Sequence, residues 1–146
     1  LYLCCCGGGG LIAGTSTYLK YAFPNICSYS VEPEDFDDTK NSLEKGEIVC
    51  NSPSSRSICD ALLAPQPGKL TFTINQSTLK GGLAVSEEEV KKTIITLAEN
   101  LKIITEPGGA VAAAAVLHKK INVQNKNVVV MISGGNIDPE MFASLK

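Results

Sequence analysis

Residues 1–14 read Leu1-Tyr2-Leu3-Cys4-Cys5-Cys6-Gly7-Gly8-Gly9-Gly10-Leu11-Ile12-Ala13-Gly14: an apolar run, four consecutive glycines, and the start of a second apolar stretch. An unbroken apolar run from Leu1 to Cys6, closed by glycine, has the pattern of a strand buried on both faces. Beyond the glycines, Leu11, Tyr18, Leu19 and Ala22 recur at helical spacing until Pro24 stops the pattern. The unit is therefore strand, glycine turn, helix. In such a turn side-chain-free residues let backbone amides approach a bound anion, and the helix N-terminus adds positive potential, so a phosphate is the natural ligand. One glycine would serve a tight turn packed on a neighbour; four in a row exceed what packing requires.

Working outward, Cys27 to Val31 has the composition of a second strand, ending at Glu32-Pro33, and an acidic segment leads to a helix from Phe36 to Lys45 closed by Gly46. Residues 51–68 are rich in Ser, Pro and Gly and form a loop that admits a short helix over Ser57–Leu63, with another helix over Leu70–Leu79. Ser86 followed by Glu87, Glu88 and Glu89 is a helix start, and Val90, Ile94, Leu97 and Leu101 give that helix its apolar stripe. Glu106-Pro107-Gly108-Gly109 breaks the chain before an alanine-rich helix reaching about Lys120. Val128 to Ile132 is then a buried strand ending in a second glycine turn, Ser133-Gly134-Gly135-Asn136. Strands alternating with helices predict an α/β fold, a three-layer, doubly wound, mostly parallel sheet with right-handed crossovers in a single unit. Ligands of such sheets gather at strand C-termini, which directs both glycine turns to one crevice.

Composition narrows the function. A chain of 146 residues holds one core. Thirteen Lys and Arg against 15 Asp and Glu give a net charge of −2 with no basic run, which argues against nucleic acid as a partner. The longest apolar stretches, such as Ala110 to Leu117, fall short of the roughly 20 residues that cross a bilayer, so no membrane partner is expected and the compartment expected is the cytoplasm. Cys4, Cys5 and Cys6 are consecutive in a strand, point alternately to opposite faces and form no CxxC pair, so reduced thiols are expected rather than zinc ligands. The apolar, methionine-free start at Leu1 suggests a fragment. His118, the single histidine, lies near lysines at a helix end and has the setting of a surface residue, not a base.

The kind of phosphate is less direct. No lysine stands where GxxxxGKS/T needs one, and GxGxxG fails because neither Ile12 nor Ala13 is glycine. Glu32, at the end of the second strand, is nonetheless where a dinucleotide fold places its ribose-binding acid, which keeps an NAD-binding domain open as an alternative.

The stretches CGGGGLIAG, VEPEDFDD, EPGGA and SGGNID, in this order and joined by SLEKGEIV, PGKLTF and VSEEEV, resemble the pyridoxal-phosphate (PLP) dependent serine/threonine dehydratases and serine racemases over nearly the whole chain. The resemblance implies the C-terminal portion of the large PLP-binding domain of a tryptophan-synthase-β-like fold. It implies that Gly7, Gly8, Gly9, Gly10 and Leu11 hold the phosphate, that Ser133 bonds the pyridine nitrogen with Asn136 supporting the same turn, and that Glu106 lies near the ring. A hydroxyl at that nitrogen, unlike a carboxylate, does not stabilise a protonated ring, which suits β-elimination better than transamination. A Mg²⁺ or Ca²⁺ site formed by Glu32, the carbonyl of Phe36 and Asp38 is also implied; the competing account of Glu34, Asp35, Asp37 and Asp38 is a set of solvated acids near a helix N-terminus.

Two departures from the family pattern stand out: Cys6 where serine is common, and Cys59-Asp60-Ala61-Leu62 where Ala-Asp-Gly is frequent. The family's Schiff-base lysine lies upstream in an aromatic-Lys-x-Arg context that no lysine here has. The expected partners are thus an amino-acid substrate, an upstream half carrying that lysine, and a second copy in a homo-oligomer. The expected reaction of the intact protein is deamination of L-threonine to 2-oxobutanoate or of L-serine to pyruvate, with serine racemisation and hydroxyaspartate deamination as same-family alternatives. A stand-alone phosphate-binding module without catalysis is the alternative of a different class.

Overall fold

A computed structural model describes residues 1–145. Its strands are β1 (Tyr2–Cys5), β2 (Ser28–Pro33), β3 (Leu79–Val85) and β4 (Val129–Val130), and its helices α1 (Gly10–Ala22), α2 (Asp38–Lys45), α3 (Lys69–Thr78), α4 (Glu87–Leu101), α5 (Pro107–Leu117) and α6 (Pro139–Ser144). The four strands form one sheet in the order β3-β2-β1-β4, and every neighbouring pair is parallel. The unbroken apolar run of β1 follows from its interior place: all four of its residues are buried, with a strand on each side.

The chain steps from β1 to β2 to β3 in one direction, then returns across the sheet to β4 on the far side of β1. With right-handed crossovers this reversal puts α1, α2 and α3 on one face and α4 and α5 on the other. Contacts agree: α1 and α2 pack on α3 and on the strands, whereas α5 packs on β1, β2 and β3 with α4 outside it. The result is the doubly wound, three-layer α/β arrangement expected from the alternation of elements. Leu3, Ile12, Val31, Val85, Val90, Ile94 and Val111 are fully buried in its core. Helix α5 is a layer between sheet and α4, which is why it is made of small residues: Pro107 through Ala115 are all buried.

Several elements differ from their expected form. Strand β3 takes up residues read as the end of a helix and a loop, because Gly81 and Gly82 depress strand propensity. Their use is steric: a Cβ on Gly82 would lie 2.6 Å from Lys40 Cα, so α2 sits directly against the strand there. The buried strand expected over Val128–Ile132 shrinks to Val129–Val130 at a sheet edge, with Val129 59% exposed. Pro107-Gly108-Gly109 is the first turn of α5, not a break before it, since proline at the first helical position lacks only an N–H that has no partner anyway. Helix α6, unanticipated, is started by Asp138, whose carboxylate accepts from the N–H groups of Glu140 and Met141 at 2.9 Å. The helix expected over Ser57–Leu63 is a single 3₁₀ turn at Asp60–Leu62.

Candidate functional site

Strand β1 is the switch point of the sheet: the chain leaves its C-terminal end toward β2 and returns to its other side as β4. Crevices at such reversals are the binding places of doubly wound sheets. The glycine run follows β1, Ser133 to Asn136 follow β4, and Cys5 Sγ meets Ser133 Oγ at 3.0 Å. The two glycine turns therefore follow the adjoining ends of neighbouring parallel strands, on the same edge of the sheet.

The first turn is shaped for an anion. Gly9 has φ 88°, a left-handed conformation suited to glycine, and begins α1 without a side-chain cap and without an acid in the first helical turn. The first helical hydrogen bond runs from Ala13 N–H to the Gly9 carbonyl at 3.0 Å, so the N–H groups of Gly10, Leu11 and Ile12 have no acceptor within the helix. A Cβ on Gly8 or Gly10 would meet nothing within 4 Å, which leaves open space beside those amides. Behind the loop, Thr71 Oγ1 donates to the Gly8 carbonyl at 2.7 Å and draws it back, while Ala61 and Leu62 stand against Gly7. An uncapped helix start with open space beside free amides fits a dianionic phosphate.

The second turn is rigid. Thr105 Oγ1 at 2.9 Å and Glu106 N–H at 3.1 Å both donate to the Gly134 carbonyl, and Glu106 Oε2 accepts from Asn136 N–H at 3.0 Å. Glu106 lies so close over the turn that a Cβ on Gly134 would overlap its carboxylate. Asn136 thus supports the turn through its backbone, and Glu106 braces it. Ser133 is exposed to the crevice, and among the described residues its hydroxyl has Cys5 as its one hydrogen-bond partner. A hydrogen-bonding, unionised hydroxyl facing open space suits a ring nitrogen.

All six cysteines are free, and no His/Cys/Asp/Glu cluster able to hold a metal occurs among the described residues. Cys6 packs its Sγ 3.2 Å from Thr39 Oγ1, and burial pushes its thiol up. Cys5 differs. Its Sγ lies beside Ser133 Oγ, and interaction with the neighbouring Cys4 thiol, aided by Ser133, lowers its thiol against burial. His118 caps the end of α5, half-buried beside Glu88 and Lys92 and away from the crevice.

Glu32 does not serve as a ribose-binding acid. It is fully buried, and its two oxygens accept from the N–H groups of Thr39 at 2.9 Å and Lys40 at 2.8 Å, so it caps α2 from the end of β2. This removes the acid on which the dinucleotide alternative rested. Asp38 is buried too; its Oδ1 accepts from Asn51 Nδ2 at 2.5 Å, and its Oδ2 has no partner. Glu34 and Asp35 are solvent-exposed acids, but Asp38 is not. Burial, then the neighbouring Asp38 charge, pushes Glu32 up to about 8, and burial pushes Asp38 up to about 6. The expected Mg²⁺ or Ca²⁺ set of Glu32, the Phe36 carbonyl and Asp38 thus contains a carboxylate already engaged with amides, and the structure lends that cation no direct support.

Sequence reasoning missed the residues that hold the site from behind. Thr71 was legible only as part of PGKLTF, where nothing signals that its hydroxyl reaches Gly8, 63 residues away. Ala61 and Leu62 lie between Gly7 and Gly108, and a Cβ on either glycine would come within 3.3 Å of Leu62. Asn75, fully buried beside Gly9 with neither amide atom partnered, gave no signal at all.

Known proteins resemble this chain in sequence and in shape. Residues 1–134 match the family of pyridoxal-phosphate dependent enzymes. The chain is 36% identical over 139 residues to serine racemase of Schizosaccharomyces pombe, covering 95% of this chain and 43% of that protein. It is 39% identical over 138 residues to L-threonine ammonia-lyase of Thermotoga maritima, covering 93% of this chain and 33% of that protein. Among solved structures, a threonine deaminase of T.th. superposes with a TM-score of 0.88 at 36% identity, covering 94% of this chain and 49% of that one. The chain spans less than half the length of each of these relatives. Sheet order, sequence match and structural likeness point one way: the chain belongs to the pyridoxal-phosphate-dependent enzymes and has the mostly parallel α/β fold of their type II members.

Proposed function

We propose that this chain is the cofactor-cradling part of a PLP-dependent ammonia-lyase that deaminates L-threonine to 2-oxobutanoate or L-serine to pyruvate. The observation that carries the reading is the meeting of Cys5, at the end of β1 just before the glycine turn, with Ser133 after β4 at the sheet's switch point. In it, the N–H groups of the Gly7–Gly10 turn and Leu11 bind the phosphate, and Ser133 hydrogen-bonds the pyridine nitrogen without a full charge. Glu106, through Asn136 and Gly134, keeps the serine's turn at fixed height against the crevice. When bound, PLP supplies the electron sink for loss of the α-proton and β-hydroxyl. The Schiff-base lysine belongs to an upstream segment of the full gene product, which makes the 146 residues alone inactive, and homo-oligomeric assembly in the cytoplasm goes with this reading.

Serine racemase is a second reading, favoured by its 36% identity with the fission-yeast enzyme, and L-threo-3-hydroxyaspartate ammonia-lyase of Saccharomyces cerevisiae, at 34%, is a third. Ala61, in the segment where glycine is frequent, packs close to Gly108 in the wall behind the crevice and is a place where substrate preference differs.

The test is the visible spectrum of the full gene product purified with PLP, before and after L-threonine, L-serine or L-threo-3-hydroxyaspartate, with 2-oxo acid and D-serine assayed together. A cofactor band that responds to L-threonine or L-serine with 2-oxo acid release supports the lyase. D-serine as main product supports the racemase, and a protein that takes up no PLP overturns both.

A further inference from the structure

We propose that Cys5 is a positioning residue for Ser133: its thiol donates to Ser133 Oγ and leaves the serine's own proton directed into the crevice, toward the ring nitrogen of bound PLP. The inference rests on the role given to Ser133 above and adds a residue to it.

The geometry carries it. Cys5 ends β1 and is almost wholly buried, whereas Ser133 is exposed, and the two side chains meet at 3.0 Å. A serine hydroxyl is one donor and two acceptors and rotates to suit its surroundings. With a single protein partner among the described residues, the direction of its proton depends on what that partner does. A thiol that donates occupies one lone pair and sends the hydroxyl proton outward. A thiolate, or no sulfur, lets the proton turn elsewhere, and the hydroxyl is no longer a reliable donor.

The surroundings are consistent with a thiol tuned by contact. Around it stand the phenol of Tyr2 and the thiols of Cys4 and Cys6 on its own strand, the Glu106 carboxylate before α5 and the Cys59 thiol before the 3₁₀ turn. None of these groups is cationic; burial and the Glu106 charge favour the neutral thiol that can donate, whereas the reverse hydrogen bond, from Ser133 to sulfur, favours the thiolate. Its partner is fixed as well, since the turn that carries Ser133 is tied to Thr105 and Glu106.

The test uses the full gene product reconstituted with PLP as wild type, Cys5→Ser, Cys5→Ala, Ser133→Ala and the Cys5→Ala/Ser133→Ala double variant. Three quantities are read: the PLP dissociation constant, the position of the cofactor absorption band, and kcat against KM. Thermal melts of each variant confirm that it folds. Cys5→Ala is expected to weaken PLP about threefold to tenfold, the worth of one hydrogen bond, and to move the band the way Ser133→Ala does. Cys5→Ser, which keeps a donor, stays within about twofold of wild type. The double variant is no worse than Ser133→Ala, because the two side chains act as one unit.

Cys5→Ala effects that add in full to those of Ser133→Ala, or a wild-type-like Cys5→Ala, overturn the proposal while leaving Ser133 in place. So does a Cys5→Ser variant as impaired as Cys5→Ala. A Ser133→Ala variant indistinguishable from wild type removes the ring-nitrogen role itself, and the role of Cys5 with it.

Discussion

Glu32 is a carboxylate with no exposed surface and two backbone amides for partners, beside a second buried carboxylate, Asp38, one of whose oxygens has none. Its ordinary value is 4.5, and burial followed by the Asp38 charge raises it to about 8 in the fold. A raised acid favours folding fully below its unfolded value and loses that contribution as pH climbs through the folded one. Stability should therefore fall between about pH 4.5 and 8, by a few kcal/mol at roughly 1.4 kcal/mol per unit, with Asp38 adding in the same direction up to about 6. Thermal unfolding from pH 5 to pH 8 in chelator measures it. Glu32→Gln, whose amide can accept from only one of the two N–H groups, is expected to melt lower at pH 5 but with a flatter slope. If Mg²⁺ or Ca²⁺ restores stability at pH 8 in the wild type only, the pair binds a cation as well as a proton; if neither ion does, the pair is a capping device alone. At this scale the sequence was partly legible. Glu32 was visible as an acid at a strand end, but its partners follow only from how α2 docks. The Cys5–Ser133 contact, spanning 128 residues, depends on β4 returning beside β1.

Among the elements, α4 was readable because its start is chemical: Ser86 Oγ accepts from Glu89 N–H at 3.3 Å, and Glu89 Oε2 accepts in return from Ser86 N–H at 2.8 Å. Strand β3 was not, since its glycines serve a close approach by α2 that no local pattern records. The same distinction separates two glycines in helices. Gly14, in the middle of α1, has open space where a Cβ would point, with nothing within 4 Å, so its glycine costs helix propensity without return. Gly14→Ala is expected to stabilise by about 0.5–1 kcal/mol. Gly109 is the opposite case: a Cβ would lie 2.5 Å from the Gly134 carbonyl oxygen and 2.7 Å from Thr105 Oγ1. Gly109→Ala must push α5 away from the turn that carries Ser133, so it is expected to destabilise by more than about 2 kcal/mol and to weaken PLP binding with it. Chemical denaturation of both variants, with PLP titration of Gly109→Ala, checks the pair; a neutral Gly109→Ala would mean that α5 and the turn are not in fixed contact.

For the molecule as a whole, the alternation of strands and helices disclosed the doubly wound sheet, yet it carried no information about which faces are left bare. The structure shows them. Tyr18, Tyr21 and Phe23 on and after α1 are 66%, 85% and 59% exposed, and Val129 on β4 is 59% exposed at a sheet edge only two residues long. Leu1, Leu19, Ile26 and Val129 line an apolar hollow between that helix and that edge. An open edge beside exposed aromatic side chains is a surface that pairs with another chain segment or with itself. The relatives are more than twice this length, and under the function proposed above the candidate cover is upstream sequence of the full gene product, the segment that would bring the Schiff-base lysine. Produced alone, the 146 residues are expected to self-associate and to bind a hydrophobic dye, as read by light scattering and fluorescence. Co-production with the upstream segment should yield a complex of defined mass with dye binding reduced and a lysine-dependent PLP band present. A chain that stays monomeric and dye-free on its own would show that α1 and the β4 edge are true outer surface. The stand-alone phosphate-binding module would then be the better account of the fold.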